Sequence, residues 1–290
     1  MLPRILAILF PIFAIVAAGY FYGRRHRPEI AVANRLNMDV FVPALVFAAM
    51  AGKRFELANY GPLAVAGLLV LLGTGCVAWP VARWLGVSRR TFVPPMVFNN
   101  AGNIGLPLAL LTWGEEALPA AVILFMVENT LHFSLGARFL DPSARLLQLW
   151  RIPVVAAAIA GLAVSLFKLP LWEPAMVAVK MLGDVSIPLL LFALGVRMTS
   201  VSFAEWRVAV TGAILRPLAG MGLAALMIWL FALSGRDAAM LLVFGALPPA
   251  VLNFLFAERY HQEPERVASL VLIGNLAALV FLPLALALVL

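Results

Sequence analysis

Ten apolar segments follow one another along the chain, each about as long as a helix must be to cross the hydrocarbon core of a bilayer. They cover approximately residues 5–22, 35–51, 60–82, 92–112, 118–138, 152–168, 175–196, 207–232, 238–257 and 267–289. Of the 290 residues, 64% are hydrophobic and 12% are charged, so only short loops remain between the segments. The sequence therefore predicts an all-α polytopic membrane protein with the lipid bilayer as its surroundings and no soluble catalytic domain.

The composition also excludes several function classes. A single cysteine and three dispersed histidines give neither a disulfide framework nor a metal site. The sequence has no phosphate-binding G-x-x-x-x-G-K-[ST] loop and no H-E-x-x-H or G-x-S-x-G motif. We therefore expect neither ATP-driven work nor enzymatic catalysis, and no cofactor. The net charge of +7 comes from arginines in short membrane loops, so a nucleic-acid partner is not expected.

The basic residues are divided unevenly between the loops. Most of the 21 lysines and arginines fall in one of two alternating sets of loops, which includes Arg24, Arg89, Arg138 and Arg197. Basic loops stay in the cytoplasm because moving them across the bilayer is costly. The sequence thus predicts a multi-pass protein of the cell (inner) membrane with both termini on the non-cytoplasmic side.

The second half of the chain repeats the first. Polar and proline residues recur 145 or 146 positions apart: Asp39 with Asp184, Pro43 with Pro188, Arg90 with Arg236, and Asn129 with Asn275. We interpret residues 1–140 and 150–290 as two five-helix repeats. Because five is odd, the second repeat enters the membrane inverted, which is an architecture of alternating-access transporters. A chance match is the alternative interpretation.

The fourth and ninth segments carry helix-breaking residues in their middle. The fourth reads FVPPMVFNNAGNIGLPLALL and the ninth LLVFGALPPAVLNFLFAERY. Paired interruptions at equivalent positions point to a binding site, because each second half-helix presents unpaired N–H groups and a positive dipole end. A proline kink that binds nothing is the alternative. The predicted substrate-binding residues are Asn99, Asn100, Asn103, Gly105, Pro107, Pro248, Pro249 and Asn253.

Two stretches carry a family resemblance. NNAGNIGLP resembles the N-x-G-N-x-G-x-P element of the auxin efflux carrier family, which includes bacterial malonate and malate permeases. ALPPAVLNFLFAERYHQEP is similar to the same family's second motif. The resemblance implies inverted repeats with crossing broken helices, a scaffold (spans 1, 2, 6 and 7), a mobile transport domain (spans 3–5 and 8–10) and export of organic anions. The long cytoplasmic loop of many plant members is absent, so its regulation does not carry over.

Ionisable groups inside spans are costly and therefore suggest function. Glu128 falls at the middle of the fifth span, with Asn129 beside it and His132 one turn later. Glu128 could carry a proton, or it could be a protonated structural group bonded to His132, and the sequence favours neither. Asn275, the repeat mate of Asn129, belongs to the same candidate set.

Three further charges lie within spans. Asp39 is close to the expected start of its span, where a carboxylate simply complements the helix dipole, and we favour that role. Asp184 lies deeper, which favours a role in binding a coupling ion or proton. Arg216 stays charged, and we favour an ion pair with one of these acids over direct attraction of the substrate.

The sequence as a whole favours a secondary transporter of small organic anions, carboxylates such as malonate, malate or auxin-like acids, working in efflux. One alternative is a sodium- or proton-coupled transporter of the bile-acid or sodium/proton type. Another is a membrane sensor that binds a ligand without moving it. Coupling to a proton or to sodium, and association as a homodimer, are left open.

Overall fold

The computed structural model describes residues 1–51, 60–142, 153–200 and 205–290, and within these ranges the chain is helical. The helices are α1 Leu2–His26, α2 Ile30–Leu36, α3 Val42–Met50, α4 Gly61–Trp84, α5 Arg89–Val97, α6 Leu106–Trp113, α7 Leu118–Leu131, α8 Ala137–Leu140, α9 Pro153–Leu166, α10 Glu173–Arg197, α11 Trp206–Leu230, α12 Gly235–Ala246, α13 Leu252–Arg259 and α14 Pro264–Val289. The expected boundary between the two repeats, at residues 140–150, lies largely outside the described residues.

In the described part of the chain, seven helical stretches are long and apolar enough to cross a membrane, so this is a multi-pass membrane protein. They coincide with the expected spans 1, 2, 3, 5, 7, 8 and 10: Leu2–His26, Ile30–Met50, Gly61–Trp84, Glu115–Leu140, Glu173–Arg197, Trp206–Leu230 and Pro264–Val289. The second and fourth of these contain π-helical turns, Asn37–Phe41 and His132–Gly136.

The three remaining expected spans differ from the seven. The sixth is the short apolar helix α9, which has 14 residues. The fourth is divided into α5 and a second piece that starts in a π-helical turn, Ala101–Gly105, and continues as α6. The ninth is divided into α12 and α13.

The helices pack in two groups. In the first, α1 lies along α10, and α3 packs between α9 and α10. The contact of α1 with α10 depends on Gly19 and Gly195, because an added Cβ at either residue would lie 2.1 Å or less from a carbonyl oxygen of the other helix. In the second group, α11 packs against α4, α12 and α14, and α4 also contacts α5 and α7. The first group holds the expected scaffold spans and the second the expected transport spans, whose motion stays a prediction.

Polar residues inside the protein are concentrated in the second group. Their burial is unusual, because a polar group away from water needs a partner to offset its desolvation. The buried polar and charged side chains of the spans in this group include Asn99, Asn100, Glu128, Asn129, His132, Arg216, Asn253 and Asn275.

Candidate functional site

The fourth span is interrupted directly after α5. Phe98 has an extended backbone with φ −89° and ψ 108°, and helical structure resumes at Ala101. Asparagine and glycine favour this break because both are poor helix formers. Pro107 follows the π-helical turn Ala101–Gly105 at the start of α6, and the N–H that it lacks removes a backbone hydrogen bond from this part of the helix.

The ninth span is interrupted by prolines. Leu247 has φ −59° and ψ 141°, which is the extended conformation that a following proline, here Pro248, imposes on its neighbour. The two interruptions lie against each other and form an antiparallel backbone bridge between Asn99 and Pro249. The two broken spans therefore cross at their breaks.

Backbone hydrogen bonds join the two breaks. The N–H of Asn100 donates to the carbonyl oxygen of Pro248 at 2.7 Å, and the N–H of Ala250 donates to that of Phe98 at 2.9 Å. In hydrocarbon each unpaired N–H or C=O group would cost several kcal/mol. Each unwound segment thus supplies the partners that the other has lost.

Two asparagine side chains extend this pairing. Asn99 Nδ2 donates to the carbonyl oxygen of Phe244, in the last turn of α12, at 2.9 Å. Asn253 Nδ2 donates to the carbonyl oxygens of Phe98 at 3.0 Å and of Ala250 at 2.9 Å. Both amides therefore stabilise the crossing.

Asn275 of α14 holds the crossing from the side. It accepts a hydrogen bond from Asn100 Nδ2 at 3.1 Å. Its own Nδ2 donates to the carbonyl oxygens of Pro249 at 3.1 Å and of Val271 at 2.7 Å. Asn275 is thus a structural residue of the crossing in this conformation.

In this conformation the three asparagines of the fourth span differ in the hydrogen bonds that they make, and their role in substrate binding stays a prediction. Asn99 and Asn100 donate within the protein, whereas the Asn103 side chain has no hydrogen bond to the described residues. Gly105 allows the two breaks to approach, because an added Cβ would lie 3.0 Å from the Leu247 side chain.

A cavity of about 120 Å³ lies beside the crossing, between the two groups of helices. Its walls come from both breaks, from α7, and from α2 and α10 of the first group. The polar residues that line it are Asn34, Asn99, Asn100, Asn103, Glu128, Asn129 and Arg197.

Several hydrogen-bond donors face this cavity. The Nδ2 groups of Asn34 and Asn129 are buried and have no partner among the described residues. Arg197, the last residue of α10, is half-buried and interacts electrostatically with Glu258. The sequence analysis placed Arg197 in a loop and missed Asn34. The only sequence signal was that each polar residue directly adjoins the apolar stretch of its span.

Glu128 and His132 form a buried pair on α7 and the following π turn. His132 Nδ1 lies 3.1 Å from Glu128 Oε1, as the four-residue spacing predicts. The imidazole stacks on the ring of Phe98 with 4.0 Å between centroids, and Phe256 contacts it edge-on at 4.7 Å. The pair is thus fixed against the crossing, and Glu128 also lines the cavity.

The favoured ion pair of Arg216 is not formed at contact distance in this conformation, although the guanidinium interacts electrostatically with Glu128. No carboxylate of the described residues lies within 4 Å of the guanidinium. Instead, Arg216 NH1 donates to the carbonyl oxygen of Gly245 at 2.8 Å, while its Nε and NH2 lack described partners. A cation at the end of α12 stabilises the negative end of that half-helix, which ends at the break.

Asp39 and Asp184 lie away from the crossing. Asp39 is exposed in a π turn, two to three turns after the start of α2 and not near a helix start as expected, because the helix begins earlier than the apolar stretch. Asp184 is also exposed, and it lines a separate cavity of about 800 Å³. There Lys180 of α10 is paired with Glu115 at 2.8 Å.

A comparison with known proteins finds a family similarity in the second part of the chain. Residues 143–286 match the family model described as membrane transport protein. No curated protein matches the chain closely enough to count as a relative. The match contains α9 to α13 and most of α14, and therefore includes the second break. Residues 143–286 are therefore similar to the membrane transport protein family.

Proposed function

We propose that the chain is a secondary transporter of small organic anions, with carboxylates such as malonate and malate as substrates, working by alternating access. The observation that supports this most is the set of donors around the cavity at the crossing. Arg197 and the amides of Asn34, Asn103 and Asn129 surround one small space between the two groups of helices.

A carboxylate suits this cavity chemically. It accepts hydrogen bonds only, and charge-assisted bonds from a guanidinium are about twice as strong as neutral ones. Two buried amide donors lack partners, and a bound anion would replace the water they lost. The first N–H groups of the half-helix after the first break, around Gly102 and Asn103, have no partner within that helix and add positive potential.

The size of the cavity favours the smaller of the expected substrates. Its volume of about 120 Å³ is well below the ~300–1,000 Å³ of sites for drug-sized ligands. Dicarboxylates with three or four carbons therefore fit the proposal better than auxin-like acids with an aromatic ring system.

The position of the cavity supports alternating access. It lies between helices of both groups, so displacement of one group along the other would expose the bound anion to the opposite side. Glu128 lines the same cavity and is the proposed proton carrier, with His132 as its partner. Export, both termini outside and the ten-span inverted arrangement remain parts of the proposal, supported by the motifs and the distribution of arginines.

Transport in proteoliposomes tests the proposal. Labelled malonate and malate are loaded inside or outside, and uptake and efflux are followed for the wild type and for Arg197→Gln and Asn103→Ala. We expect transport by either variant to fall about tenfold or more, because each loses a bond to a charged ligand worth about 1.5–3 kcal/mol. Arg207→Gln removes an exposed arginine outside the cavity and serves as the matched control. Unchanged transport by both cavity variants would refute the proposed site.

Flux measurements in the same proteoliposomes also distinguish the proposed transporter from the two alternative functions. A sodium-coupled symporter predicts flux that requires a sodium gradient, and a sensor predicts thermal stabilisation by carboxylates without net flux. Our proposal predicts flux without sodium and faster flux under a pH gradient.

A further inference from the structure

An apolar groove opens on the surface of the second group, away from the substrate cavity. It lies between α4, α5 and the end of α7 and has a volume of about 660 Å³. Leu72, Trp79 and Leu135 of its lining are 40%, 41% and 53% exposed, so the groove faces the lipid. A groove of this size between spans has room for part of a lipid chain, since ligand sites generally fall in the range of ~300–1,000 Å³.

Arginines lie at one end of the groove. Arg138 contributes directly to its lining. The guanidinium of Arg89 lies over the ring of Trp79, with Cζ 4.4 Å from the ring centroid, and Trp79 also lines the groove. Within the described part of the chain, no acidic side chain forms a salt bridge with Arg89 or Arg138. Two positive charges therefore stand beside apolar surface, and no described carboxylate pairs with either of them.

We propose that this groove binds an anionic glycerophospholipid, with an acyl chain along the groove and the headgroup phosphate at Arg89 and Arg138. Charge complementarity selects this occupant, because basic pockets between membrane helices favour anionic headgroups over zwitterionic ones. Arg89 and Arg138 belong to the loops expected in the cytoplasm, where the leaflet carries anionic lipid. The proposal does not depend on which anion the protein transports.

The floor of the groove connects it to the crossing. Phe98 lines the groove, and its ring stacks on His132 at 4.0 Å. On the same side, Gly136 leaves no free space, since an added Cβ would lie 2.8 Å from the Phe98 ring. A lipid chain in the groove therefore contacts the side chain that positions the Glu128–His132 pair.

Lipid retention by the purified full-length protein tests the proposal. Native mass spectrometry is carried out with phosphatidylglycerol and phosphatidylcholine of identical acyl chains, added at equal concentrations. We expect the wild type to retain phosphatidylglycerol about tenfold more than phosphatidylcholine. Arg89→Gln/Arg138→Gln should remove that preference, and Arg207→Gln, whose arginine also lies against a tryptophan, should keep it.

Filling the groove tests the position of the acyl chain. Cys76→Trp occupies the groove, whereas Val77→Trp places the same side chain on the exposed surface of α4 outside the groove lining. Binding of phosphatidylglycerol should be lost in the first variant and kept in the second. A phosphatidylglycerol with a photoreactive group in its acyl chain should label the wild type within residues 72–80, 93–98 or 131–139.

Three results would overturn the proposal. They are equal retention of the two lipids by the wild type, an equal loss of preference in the Arg207→Gln control, and photolabelling confined to other helices. Because the labelling uses only the wild type, a variant that fails to fold does not remove the test.

Discussion

In the first half of the chain the broken span is interrupted among asparagines and glycines, whereas in the second half it is interrupted at two consecutive prolines. The bridge between them is nevertheless symmetric. Phe98 and Pro248 each accept a backbone hydrogen bond, and Asn100 and Ala250 each donate one. In both pairs the second residue lies 150 positions after the first. Different residues therefore produce the same backbone arrangement.

The two breaks differ in how many polar groups they contain that take no part in the hydrogen bonds of the crossing. A proline at position 249 removes an N–H that points away from the bridge and would need a partner in the membrane. Asparagines, in contrast, add side-chain N–H donors. Asn253 uses its amide within the crossing, whereas Asn103, 150 positions before it, has no hydrogen bond to the described residues and lines the cavity. We infer that the second break mainly supports the crossing and that the first also supplies the binding groups.

The largest expected effect breaks the bridge itself. Ala250→Pro removes the N–H that donates to Phe98 and should lower the free energy of unfolding by about 3 kcal/mol, with loss of transport. Pro249→Ala, one residue earlier, keeps both hydrogen bonds of the bridge but adds an N–H without a partner, so it should lower the free energy of unfolding by less, about 1 kcal/mol. Chemical denaturation in detergent measures both. Similar effects of the two substitutions would show that the backbone bridge is not what holds the broken spans together.

The next comparison distinguishes an asparagine that stabilises the crossing from one that is proposed to bind the substrate. Asn253→Ala leaves the Phe98 carbonyl with one donor fewer and should cost about 1 kcal/mol of stability. Asn103→Ala should leave thermal stability close to wild type and should lower malonate transport about tenfold. If Asn103→Ala destabilises the protein as much as Asn253→Ala does, the proposed division between the two breaks is wrong.

The breaks themselves could be predicted from the sequence because their causes are local. Proline lacks an N–H, and clustered asparagine and glycine lower helix propensity in an otherwise apolar run. The long spans could be predicted for the same reason, since hydropathy over a window of residues reflects burial in lipid.

Partners of polar groups could not be predicted, because they depend on how the helices are rotated and how far they are shifted along one another. Arg216 contacts the Gly245 carbonyl because α11 and α12 approach closely at Gly220 and Gly245, where an added Cβ on Gly220 would lie 2.0 Å from the Gly245 oxygen. Nothing in the spacing of the charges indicates that approach. The location of Arg197 beside the cavity also follows from the packing of α10 against α2.

A third difference between the halves concerns Glu128, the proposed proton carrier. Glu128 directly precedes Asn129 in the first half of the chain. The equivalent residue in the second half, directly before Asn275, is Gly274. Because Gly274 has no Cβ, Pro249 can approach α14 closely. We expect Glu128→Gln to abolish the several-fold stimulation of malonate efflux by a pH gradient and to retain exchange of malonate for malonate. Fluxes with and without the gradient measure this. Full stimulation of the variant would assign proton coupling to another group.

The smallest expected effect lies where the two broken spans begin. Thr91 directly precedes the fourth expected span and donates to Glu263. Asp237, its expected repeat mate, directly precedes the ninth and is half-buried in the first turn of α12. Burial raises the pKa of the Asp237 carboxyl above its ordinary value near 3.8, although Arg236 opposes this shift. A raised acid pKa means that the folded state binds the proton more tightly. The stability from this group is present below about pH 4 and is lost as the pH rises through the raised pKa.

Asp237→Asn should therefore stabilise the protein by a few tenths of a kcal/mol at pH 7, where the wild-type carboxylate is charged. The effect is small because solvent screens a side chain that is only partly buried, and because a carboxylate in a first turn also gains from the helix dipole. Thermal unfolding from pH 4 to pH 7 should show the variant's advantage growing with pH. Glu173→Gln, an exposed carboxylate in the first turn of α10, should show no such gain. An advantage for Asp237→Asn that shrinks as the pH rises would mean that the helix dipole outweighs burial at this position.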